Sequence, residues 1–261
     1  MTTEEIILSI FWYVDEHMNG IAKPPQAKLW PSAWVTIGRL AALKGGRFRA
    51  VYRWLKRDYD GLFGGLPDRT RLQRALNVHQ DWCERLLAEP SLFTVIDNYP
   101  IELIFPIREG RSREQVGGKS KDKGRWTVGI RRCWILNDHG QVVDWAAAPL
   151  NTSDPNFHPM IAQLEDRSIV LTDLGFRSAQ SLPSNLKLCP KGTWHERMLV
   201  ETALSMVTLE GDLKHLHPRA SFYILAHLAC VTALFNVLLA LFHQFHPAAA
   251  PFQMSFAEFP L

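Results

Sequence analysis

Ser168–Asp173 reads SIVLTD, and Ser91–Asn98 reads SLFTVIDN. Each is a short apolar run rich in β-branched residues, and each reaches an aspartate, Asp173 in one and Asp97 in the other. Runs of this length and composition predict strands. Outward from them, Trp126–Leu136 and Gln141–Ala148 are two further strand candidates, with Asn137-Asp-His-Gly140 between them as a hairpin turn. Pro155–Leu164 is a predicted short helix, Gly175–Ser181 a helical turn, and Leu186–Cys189 a last short strand. Residues 107–125 are polar and glycine-rich without a period, which predicts a loop. From Trp194 the chain is helical again, broken near His217-Pro218. The order after Pro90 is strand, strand, strand, helix, strand, helix, strand, helix. That order predicts an α/β fold: an antiparallel meander, then alternating units, forming a mixed sheet flanked by helices.

Residues 1–90 read differently. Glu4–Met18 carries an apolar face through Ile7, Ile10, Phe11 and Val14. Pro31-Ser32 opens a second helix, ended by Gly45-Gly46. A short helix through Val51, Trp54 and Leu55 follows, then a longer one capped by Asp68 or Thr70, with Leu72, Leu76, Trp82 and Leu86 inward. The predicted organisation is an all-helical N-terminal domain over 1–90, an α/β domain over 91–247, and a tail over 248–261.

At 261 residues and 47% hydrophobic, the chain can bury a full core, and 21% charged residues exclude wholesale disorder. Cys83, Cys133, Cys189 and Cys230 are widely spaced and form no CxxC pair, so neither a zinc site nor a disulfide framework is predicted. The simplest setting is reduced and cytoplasmic. The N-terminus has acids where a secretory signal has basic residues. Phe222–Phe242 is long and apolar enough to span a bilayer, but it contains His227, Thr232 and Asn236, and its expected place is a buried core helix. Membrane attachment stays open as the competing reading.

The two strand-end aspartates carry the functional argument. Open α/β sheets bind ligands beyond the carboxyl ends of their parallel strands. If the two strands are neighbours, Asp97 and Asp173 repel one another, and a divalent cation removes that penalty; hard oxygen ligands suit Mg²⁺ or Mn²⁺. A lone aspartate at a strand end is ordinarily a turn cap. The segment from Trp194, WHERMLVETALSMVTLEGD, supplies a third acid. At helical spacing Trp194, Arg197, Glu201, Ser205 and Thr208 share one face, and Leu199, Val200, Ala203, Leu204 and Val207 lie toward the other. Glu201 is thus expected to point away from the core. An ordinary Arg–Glu surface pair is the competing reading.

These motifs together resemble the DDE transposases of bacterial insertion sequences. The family's helix signature places Tyr, Arg, Glu and Lys in order; here Trp194, Arg197, Glu201 and Thr208 stand at those spacings. VIDNYPIEL around Asp97, LTDLGF around Asp173, and the upstream LFGGLPDRTRLQR are similar to family segments, and the resemblance runs from about residue 28 to about residue 245. It implies a ribonuclease H-like catalytic domain and a triad, Asp97, Asp173 and Glu201, that holds two Mg²⁺ ions (Mn²⁺ as a substitute). It also implies DNA cleavage at transposon ends, joining of the 3′-hydroxyl to target DNA, a homodimer on double-stranded DNA and a bacterial, nucleoid-associated setting. The Lys that the family places at Thr208 is thought to contact DNA, and Lys214 lies on the opposite helical face. Twenty-eight positions separate Asp173 from Glu201, too few for the inserted domain some branches carry.

DNA binding needs basic surface. Residues 108–132 hold Arg108, Arg111, Arg113, Lys119, Lys121, Lys123, Arg125, Arg131 and Arg132 against three acids. Trp194 and Arg197 join the expected DNA contacts by resemblance. A second basic set is Arg39, Lys44, Arg47, Arg49, Arg53, Lys56, Arg57, Arg69, Arg71 and Arg74, on a predicted helix, turn and helix. Two other functions stay open: a nuclease of the same fold without strand transfer, and an inactive DNA-binding descendant of a transposase.

Overall fold

The computed structural model describes residues 2–104, 117–122, 124–179, 181–190, 197–210, 213 and 221–261. The N-terminal segment is helical, as its periodicity requires. Helix α1, Thr3–His17, starts at a reciprocal cap in which Thr2 Oγ1 accepts from the Glu5 amide at 3.2 Å and the Glu5 carboxylate accepts from the Thr2 amide at 2.7 Å. Helix α2, Pro31–Leu43, opens on a proline, whose missing N–H costs nothing in a first turn. Gly45 and Gly46 end it with φ of 71° and 70°. A Cβ on Gly46 would sit 2.6 Å from the His227 ring, so the second glycine also permits the approach of a later helix.

Helix α3 spans Phe48–Asp58, and α4 spans Arg69–Val78 with Asp68 as its cap. The longer fourth helix expected from the sequence is corrected. It stops at Val78, and Gln80–Leu86 is a 3-10 turn. In that tighter winding residues three apart eclipse one another. His79 and Trp82 use this spacing to stack at 4.0 Å.

Beyond Pro90 the chain forms a six-stranded mixed sheet: β1 (Phe93–Ile104), β2 (Gly118–Asp122), β3 (Arg125–Leu136), β4 (Val142–Pro149), β5 (Ile169–Thr172) and β6 (Leu186–Leu188). β3 pairs antiparallel with β1 and also with β2 and β4, and β5 and β6 continue parallel on the far side of β1. Two expectations need correction. β1 runs on past Asn98 to Ile104. Pro100, a poor strand residue, is tolerated there because pairing with β5 has ended at Val95 and the proline needs to match only Arg131. Part of the predicted loop is β2, a lysine-bearing strand that lacks the apolar alternation by which strands are read. Residues 105–116 and 123 lie outside the described residues.

Helices cover both faces. On one side α5 (His158–Ala162) and its neighbouring turn pack with Ile96, Cys133, Ile135 and Val170. On the other lie α6 (Arg197–Glu210) and α7 (Ser221–Phe245), over Val95, Ile130, Trp134 and Leu136. This second core is continuous with the residues buried by α1 and α2, so the N-terminal helices and the sheet share one interior. Within 248–261, Met254, Phe256 and Phe259 are buried in that core.

Helix α7 is the one described helix long and apolar enough to cross a membrane, and 83% of its most apolar window is buried inside the chain. Its polar residues are used internally. Asn236 bonds the backbone of β4, and Thr232 bonds the buried Arg132.

Candidate active site

The strand register brings the two aspartates together. Phe93, Thr94 and Val95 of β1 lie opposite Ile169, Val170 and Leu171 of β5. Continued by two residues, this register sets Asp97 beside Asp173, one position past the end of β5. Neighbouring strands lie about 4.8 Å apart, and the Thr172 hydroxyl reaches across to the Ile96 carbonyl at 3.4 Å. Asp97 is 9% exposed, its carboxylate accepting from the Asn98 amide at 2.7 Å. Asp173 is half-buried and caps the 3-10 turn Leu174–Phe176 by accepting from the Gly175 amide at 2.8 Å. The turn-cap role weighed for such an aspartate is therefore real at Asp173, and it fixes the carboxylate at the sheet edge.

Side chains on β1 alternate between the two cores, Val95 toward α7 and Ile96 toward α5. Asp97 shares the parity of Val95 and lies opposite Trp134. It faces the layer that contains α6. That helix packs against β1 through Val200, Ala203, Leu204 and Val207, and Glu201 is exposed on it, as its spacing predicted. Trp194 lies outside the described residues, as do the side chains of Arg197 and Thr208. The donor set of Asp97, Asp173 and Glu201 is entirely carboxylate, the chemistry Mg²⁺ and Mn²⁺ prefer. Among the described residues, no three His, Cys, Asp or Glu side chains stand close enough together to hold an ion. The register aligns the two aspartates, and α6 carries Glu201 on the same side of the sheet.

A further acid, missed in the sequence, joins this edge. Asp154, in the turn after β4, forms an ion pair with Arg131, which also donates to Asn98 Oδ1 at 3.3 Å. A Cβ on Gly175 would lie 2.7 Å from Asp154 Oδ2 and 2.9 Å from Asp173 Oδ1, so both carboxylates flank that glycine. Burial raises the Asp154 carboxyl, Arg131 draws it back, and the neighbouring Asp173 charge adds to the rise. In SDPNF an aspartate before a proline reads as an ordinary turn starter, and no local signal ties it to Asp173.

The basic residues divide. Arg108, Arg111, Arg113 and Lys123 lie outside the described residues. Lys119 and Lys121 belong to β2, and Lys119 Nζ lies 5.0 Å from the centre of the Trp126 ring. Arg125 pairs with Glu102 at 2.8 Å and stays largely in solvent. Three arginines expected to face DNA are corrected. Arg131 is held by Asp154, and Arg132 and Arg39 are each 1% exposed, within the core. Exposed cations remain on α3, at Arg49, Arg53, Lys56 and Arg57, and on α4, at Arg69, Arg71 and Arg74. Lys56 and Arg57 are partly engaged by Asp60 and Asp58.

No family model matches the chain, and no curated protein matches it.

Proposed function

We propose that the chain is a metal-dependent DNA-cleaving and DNA-joining enzyme of the DDE transposase class, with Asp97, Asp173 and Glu201 as its acids. The observation that carries this reading is the register that puts Asp97 level with Asp173, with α6 packed on the same strand. The mixed sheet, a meander of β1, β3 and β4 followed by parallel β5 and β6, supports this reading.

In this mechanism Asp97, Asp173 and Glu201 would hold the divalent ions, their carboxylates being the hard oxygen donors that such ions prefer. When bound, a pair of ions lowers the pKa of an attacking water and stabilises both oxygens of an in-line phosphoryl displacement. The chain's part is to hold the acids and orient the DNA. Glu201, on the exposed face of α6, would supply the third carboxylate. Arg131 keeps Asp154 engaged, so that this fourth carboxylate does not crowd Asp173 as a free anion.

The β2–β3 hairpin gives the DNA a guide. Asp97 lies opposite Trp134, and Trp126 is eight residues back along β3, roughly 26 Å further in the direction in which β5 ends. Lys119, Lys121, Arg125 and Trp126 therefore project past the acids, where a phosphate backbone approaching them would pass.

The test is cleavage of a duplex carrying the DNA that flanks the gene, with Mg²⁺, followed by joining of a pre-cut end to plasmid DNA. Wild type is expected to do both, and Asp97→Asn neither. Full activity of Asp97→Asn would end this reading. Cleavage without joining would assign the nuclease function, and DNA binding without cleavage under any metal would assign the inactive descendant.

A further inference from the structure

Cys83 and Cys230 are far apart in sequence and form no motif, but the 3-10 turn that carries Cys83 packs against α7, which carries Cys230. Arg39, on α2, donates through Nη2 to Cys83 Sγ at 2.8 Å. Each of the two sulfurs feels the other and the guanidinium. A Cβ on the adjacent Gly38 would lie 3.3 Å from Cys230 Sγ, so the glycine leaves the space the sulfur fills. The trio joins three elements: α2, the 3-10 turn after α4, and α7.

Arg39 is an uncommon resident for this place. Its Nε and Nη1 are buried with no hydrogen-bond partner among the described residues. The groups whose charge favours its cationic form are the two sulfurs. A buried guanidinium needs a counter-charge, because its desolvation is otherwise uncompensated. Two thiols sharing a single proton supply one negative charge at the right place.

We propose that Cys83 and Cys230 form a redox-active pair beside Arg39, converted to a disulfide by a peroxide-class oxidant. The reactive member is Cys230. The neighbouring Cys83 thiol, with the charge of Arg39, lowers it to about 6, whereas the Cys230 sulfur and burial push Cys83 well up. Cys230 is also only half-buried, whereas Cys83 is buried. The Cys230 thiolate attacks one peroxide oxygen, the O–O bond breaks, and hydroxide leaves with the electron pair, giving a sulfenic acid. The Cys83 sulfur then attacks the Cys230 sulfur. The S–S bond forms, the S–O bond breaks, and the hydroxyl departs as water with the Cys83 proton. The hydroxide takes up the proton that Cys230 had shed, so two thiols and one peroxide become a disulfide and two waters. The product ties the turn after α4 to α7 and leaves Arg39 without its counter-charge, so oxidation reports directly on how the N-terminal helices are packed.

The other two cysteines serve as internal comparisons. Cys133 is fully buried on β3, and burial raises its thiol. Cys189 is half-buried after β6. The full chain is treated with hydrogen peroxide, unfolded with iodoacetamide, cleaved without reduction and mapped by mass spectrometry. The expected result is one linked pair of peptides, Cys83 with Cys230, that separates on reduction, with Cys133 recovered alkylated. Recovery of Cys83 and Cys230 as alkylated thiols, or linkage of either to another cysteine instead, overturns the proposal, whatever happens at Cys189. Cys230→Ser is expected to leave Cys83 reduced at the same oxidant dose. The wild-type map decides the question even if that variant does not fold.

Discussion

Asn236, in the middle of α7, treats Val142 as a strand partner: its Oδ1 accepts from the Val142 amide at 2.7 Å and its Nδ2 donates to the Val142 carbonyl at 2.8 Å. The same Nδ2 donates to the Leu86 carbonyl at 2.9 Å. One amide therefore joins the most apolar helix, the edge strand β4 and the last turn of the N-terminal segment. Replacing it with leucine keeps the volume and removes every one of these bonds. Asn236→Leu is expected to lower unfolding free energy by about 2–4 kcal/mol, because buried backbone groups lose their partner. Urea denaturation followed by tryptophan fluorescence measures it. A change under about 0.5 kcal/mol, the range of a neutral surface substitution, would contradict the role.

The carboxylate pair predicts a metal-binding phenotype separate from activity. Mn²⁺ titrated into the wild-type chain and read by its electron paramagnetic resonance signal is expected to bind. Asp97→Asn and Asp173→Asn each weaken that binding, and Glu201→Gln weakens it less. Cleavage falls by about a thousandfold in each variant, the equivalent of the several kcal/mol that metal ions supply to a charged transition state. Equal Mn²⁺ affinity in wild type and both aspartate variants would detach the ions from these residues.

The β2–β3 hairpin predicts salt dependence. Lys119, Lys121 and Arg125 to alanine, combined, are expected to weaken duplex binding and to flatten the slope of log affinity against log salt by roughly 0.9 for each phosphate that the variant no longer neutralises. Arg39 lies in the core and has no part in this slope. An unchanged slope in the triple variant would place the DNA elsewhere, with the exposed arginines of α3 and α4 the next surface to test.

Asp144 predicts a pH effect on stability. Burial raises its carboxyl, the Trp145 amide opposes the rise at 2.7 Å, and the Glu84 charge adds to it. With the folded value above the unfolded one, the folded state holds its proton more tightly, so the charged form costs stability. That cost is absent below the ordinary aspartate value and grows as pH rises through the raised folded value. Asp144→Asn, which keeps an acceptor for Trp145, is therefore expected to melt higher than wild type at pH 7. The difference should shrink toward zero in acid. A difference that widened in acid would reverse the sign.

Much of this protein is written in local pattern. The caps at Thr2 and Asp68, the left-handed glycines after α2, and the runs ending at Asp97 and Asp173 are set by neighbours a few residues away. So is the outward face of Glu201, because helical spacing places Val200, Ala203 and Leu204 on the side that buries. Tertiary structure alone decided the rest. The register of β1 on β5 makes Asp97 level with Asp173, and a shift of one residue would send one carboxylate to the other face of the sheet. β2 and the long reach of β1 depend on backbone pairing with β3, which leaves no apolar period to read. Asp154 beside Asp173, and Arg39 with Cys83 and Cys230, join residues distant along the chain. Their meeting follows from how helices stack on a sheet, and no local spacing encodes it.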